Sequence, residues 1–173
     1  MAVIYSLTAL SAMSQSDFVA ALGDLYEHSP WVAQGAWSAR PFATTDALLA
    51  AMSYCMRSAG VDQQLALIRA HPELAGRAAV RGELTQDSRS EQTGAGLDQC
   101  SPQEFAQIQL LNTAWQQKFG FPFVIAVRGL DRTAIISRMQ ERLTHDAPTE
   151  QAEALNQIDR IAALRLAQRL SGE

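Results

Sequence analysis

Hydrophobic positions recur every three to four residues along most of this chain, the spacing that lines one face of an α-helix. In "SQSDFVAALGDLYEHSP" Phe18, Leu22 and Leu25 keep that spacing, and Ser29-Pro30 stops it, because a residue before proline is pushed out of the α region. A short helix around "PWVAQGAW" follows. Thr45 or Asp46 is placed to cap "ALLAAMSYCMRSAG", which ends at Gly60, and Asp62 helps start "QQLALIRA", with Val61, Leu65 and Ile68 on one face. These signals predict four helices before residue 71.

Residues 77–100 break the pattern. Gly82, Gly94 and Gly96 are separated by polar residues with few apolar anchors, so the segment reads as a long loop suited to a functional role. "SPQEFAQIQLLNTAWQQKFG" is then a strongly marked helix. Ser101 is its cap, Pro102 its first residue, Glu104 completes a capping box, Phe105, Ile108, Leu111, Trp115 and Phe119 form one stripe, and Gly120 ends it. "FPFVIAVRG" has strand-like composition, but no second strand exists to pair with it. A lone strand leaves its backbone groups unsatisfied, so residues 121–128 are expected to form an extended apolar connector. Asp131 is placed to cap "RTAIISRMQERLTH", and a last helix follows Pro148. The expected class is all-α: a single compact multi-helix domain over residues 1–173, with about seven to nine helices.

Composition narrows the function classes. With 173 residues, 47% of them apolar and 18% charged, the chain fits one globular domain. The net charge is −4 and the arginines are scattered, so no nucleic-acid partner is expected. No basic leader precedes the mildly apolar start, the closing "SGE" is not a peroxisomal address, and no apolar run approaches the ~20 residues of a membrane span. Cys55 and Cys100 share no metal-knuckle or disulfide pattern. The expected setting is the cytoplasm, away from membranes.

The three histidines, His28, His71 and His145, are not spaced as metal ligands, so no metal site is expected. Lys118, the single lysine, has no surroundings that favour a Schiff base, and no glycine-rich nucleotide motif occurs. No cofactor is predicted.

Three features invite chemistry. His71 ends a helix and Pro72 forbids its continuation, so the imidazole sits where the helix dipole favours its protonated form. It is either a proton donor or a cap for orphan carbonyls. In "SRSEQ", Ser88 and Glu91 fit a capping box, yet the helix they would open runs into Gly94 and Gly96, so capping and function both stay open. Arg165 falls in the apolar arc of Leu155, Ile158, Ile161, Ala162, Leu166 and Leu170, whereas Arg160 points the other way. An arginine there must snorkel, pair with a buried carboxylate or bind a ligand. Arg128 is a weaker candidate of the same kind.

The blocks "EHSPWVA", "RPFATTDALLAAM", "QLALIRAHPELAG", "SEQTGAGLDQCS", "FGFPFVIAVRG" and "IDRIAALRL", taken in order, resemble the 2-oxo-4-hydroxy-4-carboxy-5-ureidoimidazoline (OHCU) decarboxylase family of urate catabolism. The resemblance implies an all-α, cofactor-free, typically homodimeric enzyme that removes carbon dioxide from OHCU to yield (S)-allantoin. It places the catalytic histidine on His71, with Pro72 beside it at the pocket, and the SxxEQ motif on Ser88, Glu91 and Gln92. His71 and Glu91 are then the catalytic pair. Ser88, Gln92 and Arg165 bind substrate, as do the backbone groups of Phe121, Phe123, Val124, Ile125, Ala126 and Val127. Two other readings compete: a non-enzymatic helical interaction module, and a cofactor-free lyase or hydrolase acting on another ureido heterocycle.

Overall fold

The structure, a computed structural model, describes residues 3–171. Among these residues it contains ten α-helices and two single turns of 3-10 helix, and the only β pairing is one parallel bridge between Tyr5 and Leu170. The all-α expectation holds, with short helices of five or six residues bringing the number above seven to nine. The chain divides into two compact units: one runs to Ala70 and resumes at Ile158, the other spans His71–Gln157.

The first unit holds α1 (Leu7–Ala12), α2 (Gln15–Leu22), α3 (Trp31–Ala36), α4 (Thr45–Arg57), α5 (Val61–Ala70) and the C-terminal part of α10 (Ala147–Ala167). Five helices therefore precede residue 71 where four were expected, because α1 is too short to show a period. Hydroxyls of Ser6, Ser14 and Thr44 accept the N–H groups of Ala9, Asp17 and Ala47, satisfying donors that a helix start leaves over. The cap of α4 is thus Thr44, one residue ahead of the expected pair. Leu10, Phe18, Leu22, Leu48, Met52, Met56, Ile158, Ala162 and Leu166 are fully buried. On α5 the buried residues are Leu67 and Ile68, while Val61 is exposed. Periodicity marks an apolar face but not how far along it a neighbour extends.

The second unit contains α6 (Arg77–Arg81), α7 (Gln86–Gly94), α8 (Pro102–Phe119), α9 (Arg132–Arg142) and the start of α10. The expected loop at 77–100 is therefore largely helical. Helix α7, "QDSRSEQTG", is polar throughout and buries only Ser88 and Gln92, so it shows no hydrophobic period. Thr85 starts it, its hydroxyl accepting the Ser88 N–H at 3.3 Å. Ser88 is consequently the third residue of the helix and not its cap. The signals of α8 are all realised: Ser101 and Glu104 form the capping box, Pro102 leads, and Gly120 closes the helix at φ 71°, a left-handed conformation that glycine adopts without strain. Ile108 and Trp115 are fully buried, with Phe121, Phe123, Ile135 and Met139 also in this unit's core, whereas Phe105 at the head of the stripe is 39% exposed. No described helix is long and apolar enough to cross a membrane.

Candidate active site

His71 is the first residue beyond α5 and is only 7% exposed. Pro72 follows, half-buried, and the chain turns through Glu73, Leu74 and Ala75 before α6 begins. Ala75 lies in the left-handed region at φ 48°, which costs an L-residue about 1–2 kcal/mol, so surrounding bonds must hold it there. They do. The Gln92 Oε1 accepts the Ala75 N–H at 3.0 Å and its Nε2 donates to the Glu73 carbonyl at 3.4 Å. Gln109 Nε2 donates to the Ala75 carbonyl at 2.8 Å, and Asn112 Nδ2 to the Leu74 carbonyl at 3.0 Å.

Ser88, Glu91 and Gln92 stand at i, i+3 and i+4 on α7, a spacing that puts all three on one helix face. Ser88 and Gln92 are buried and Glu91 is half-buried. Through Gln92 this face is fastened to the turn that follows His71. The structure therefore brings the two motifs together, and both polar ends of the Gln92 amide are engaged with backbone.

The connector expected at 121–128 is neither helix nor strand over 121–127, with Phe121, Phe123, Val124 and Val127 buried and Ile125 and Ala126 half-buried, whereas Arg128 at its end is exposed in a turn. Side chains supply the partners that a sheet would have provided. Arg142 Nη1 donates to the Val124 carbonyl at 2.9 Å, and the Ala126 N–H donates to Gln157 Oε1 at 3.0 Å. Arg142 is 6% exposed and pairs with Glu150, which is fully buried, at 2.8 Å. Its guanidinium also lies over the rings of Phe123 and Trp115, 4.6 and 5.6 Å from their centroids. His145 Nδ1 meets the same Glu150 at 2.9 Å.

Arg165 sits in the first unit, 3% exposed, with Nη1 2.8 Å from Glu27 Oε2 and 3.4 Å from the carbonyls of Asp24 and Leu25. Of the three outcomes open to a core-facing arginine, it shows pairing with a buried carboxylate: Glu27 is 2% exposed. Arg160 and Arg128 are exposed.

Sequence reasoning did not single out Arg142, Gln157, Gln109 or Asn112. The signal for Arg142 was present, since Ile135, Met139 and Arg142 share the i, i+4, i+7 spacing, the same argument that marked Arg165. Asn112 likewise lies between Ile108 and Trp115 on a buried stripe. Ala75 and Gln92 also line a largely apolar cavity of about 550 Å³, with Val80, Leu84, Leu97 and Phe105 among its other walls.

A nearly buried histidine, joined through one hydrogen-bonded turn to a helix face carrying a serine, a carboxylate and an amide, defines a small helical protein equipped for acid–base chemistry. The sequence model of the OHCU decarboxylase family matches residues 11–167. A Haloferax volcanii protein named 2-oxo-4-hydroxy-4-carboxy-5-ureidoimidazoline decarboxylase is 42% identical over 168 residues, covering 97% of this chain and 98% of its own. An Amia calva protein of the same name is 38% identical over 157 residues, covering 91% of this chain and 90% of its own. Among solved structures, an (S)-allantoin synthase superposes with a TM-score of 0.78 at 26% identity, over 96% of this chain and 54% of that one. The chain belongs to the OHCU decarboxylase family.

Proposed function

We propose that this chain decarboxylates OHCU to (S)-allantoin, as a carboxy-lyase that needs no cofactor. The names of its relatives and the match over residues 11–167 support the activity and a single functional domain. The observation that carries the site is the Gln92–Ala75 hydrogen bond, which fastens the Ser88–Glu91–Gln92 face to the turn beginning at His71 and Pro72.

The chemistry suits these groups. The bond from the ring carbon to the carboxylate breaks, carbon dioxide leaves, and the electron pair delocalises into the heterocycle, so an enzyme need only position and stabilise. The face that receives the returning proton sets the stereochemistry. His71 is the acid–base group beside the reacting centre, and Glu91 partners the substrate hydroxyl and disfavours the bound carboxylate by repulsion. Ser88, Gln92 and backbone groups of Phe121 to Val127 hold the ureido and ring carbonyls. Arg165 enters this reading on the resemblance alone. The same resemblance supports a homodimer, and composition supports a cytoplasmic setting with no nucleic-acid or membrane partner.

The test generates OHCU freshly from urate with an oxidase and a hydrolase, adds the protein and follows chiral allantoin by circular dichroism. A rate and an enantiomeric excess above the spontaneous background are expected. Neither rising above background overturns the reading.

A further inference from the structure

We infer that Asn112 and Gln109 are positioning residues for His71, acting through the backbone of residues 73–75 from one face of α8. The inference rests on the proposed role of His71. Gln109, Asn112 and Gln116 stand at i, i+3 and i+7, so a stripe of amides runs along α8 beside its apolar stripe. All three reach the same turn: Gln109 Nε2 donates to the Ala75 carbonyl at 2.8 Å, Asn112 Nδ2 to the Leu74 carbonyl at 3.0 Å, and Gln116 Nε2 to the Glu73 carboxylate at 3.3 Å. With Gln92 engaging the Ala75 N–H and the Glu73 carbonyl, the turn directly after His71 and Pro72 is bound from two helices.

Two observations separate positioning from ordinary packing. Ala75, 4% exposed, holds a left-handed φ of 48° where a turn left to itself would relax or carry glycine. Asn112 is 3% exposed, yet its Oδ1 is buried with no hydrogen-bond partner among the described residues. A leucine has the same branched shape and would bring no unsatisfied acceptor of its own, but it would leave the Leu74 carbonyl without this donor, so the amide is explained by its Nδ2 contact with Leu74. Two residues separate Pro72 from Ala75, and Pro72 fixes its own φ, so a change in the turn has few soft dihedrals to absorb it before it reaches His71.

The experiment compares Asn112→Leu, Asn112→Asp and Gln109→Ala with wild type in the stereospecific OHCU assay, well below each melting temperature, together with the ¹³C-ε1 resonance of labelled His71. Positioning predicts a kcat reduced about tenfold or more with KM changed less than about threefold, since a small misplacement of a reacting group acts on the chemical step. It also predicts a shifted or broadened His71 resonance in proteins whose helical spectrum is unchanged. Folded variants with wild-type kcat and an unmoved resonance would overturn the inference. Should the Asn112 variants not fold, Gln109→Ala, at a half-buried position, decides by the same two readouts. Wild-type turnover and His71→Ala keep the readings apart: no wild-type turnover above background overturns the functional reading, full activity in His71→Ala removes the role of His71 and this inference with it, and loss of activity in His71→Ala while the amide variants remain normal overturns this inference alone.

Discussion

Arg142 donates to the Val124 carbonyl at 2.9 Å while its own charge is held by Glu150 at 2.8 Å. One side chain thereby anchors the apolar connector, balances a buried carboxylate and covers two aromatic rings. Replacing Arg142 by methionine removes the donor to Val124 and the cation over the rings, and leaves Glu150 with His145 as its remaining side-chain partner among the described residues. Breaking a buried pair from one side typically costs about 3–5 kcal/mol. Urea unfolding should show a loss of that size for Arg142→Met, and a smaller one for Arg142→Met combined with Glu150→Leu, in which no orphan charge remains. Equal losses in the single and double variants would show that the ion pair is not the source.

Arg165 and Glu27 allow a similar test that bears on function. Both are nearly buried, so Arg165→Leu should lower the unfolding free energy by about 3–5 kcal/mol, and adding Glu27→Leu should recover part of it. Measuring OHCU turnover on the double variant then separates the ion pair from any contact with substrate. A stable double variant with wild-type KM would remove Arg165 from the binding site.

His71→Ala and Glu91→Ala should each abolish the enantiomeric excess while leaving the helical circular dichroism intact. His71 is buried but lies outside any helix, and Glu91 is half-buried, so the helices should survive either truncation. Full activity in either variant would exclude that residue from the mechanism.

Glu104 predicts a pH dependence. The Ser101 N–H first, and Arg132 second, hold its carboxyl below the ordinary carboxylate value. The folded protein thus favours the ionised form, and its contribution is fully present above the unfolded pKa of about 4.3 and disappears as pH falls through the lower folded value. Glu104→Gln should therefore melt at a lower temperature than wild type above about pH 5, and the gap should close as the solution becomes more acidic. A gap that does not change with pH would mean that the carboxylate charge contributes nothing.

Local signals carried much of the site's outline. "SPQE" with a later glycine marks α8, because capping residues satisfy donors within their own turn and need no distant partner. The stop at His71 was legible for the same reason, proline acting on the residue before it. Helix α7 was not, since a polar helix held by its Thr85 cap and by Gln92 leaves no hydrophobic period to read.

What sequence alone determined here was each residue's local commitment: the all-α class, the capped ends of α8 and α9, the apolar connector outside the helices, and the place of Arg165 in the apolar arc of the last helix. Tertiary structure decided the partners. Glu27 for Arg165, Glu150 for Arg142, Gln157 for Ala126 and Asn112 for Leu74 lie between 8 and 138 residues apart in the chain. A buried charge or backbone group announces that it must be satisfied, because leaving it unpaired is costly. Which side chain satisfies it depends on where the helices cross, and that is set by packing of the whole core.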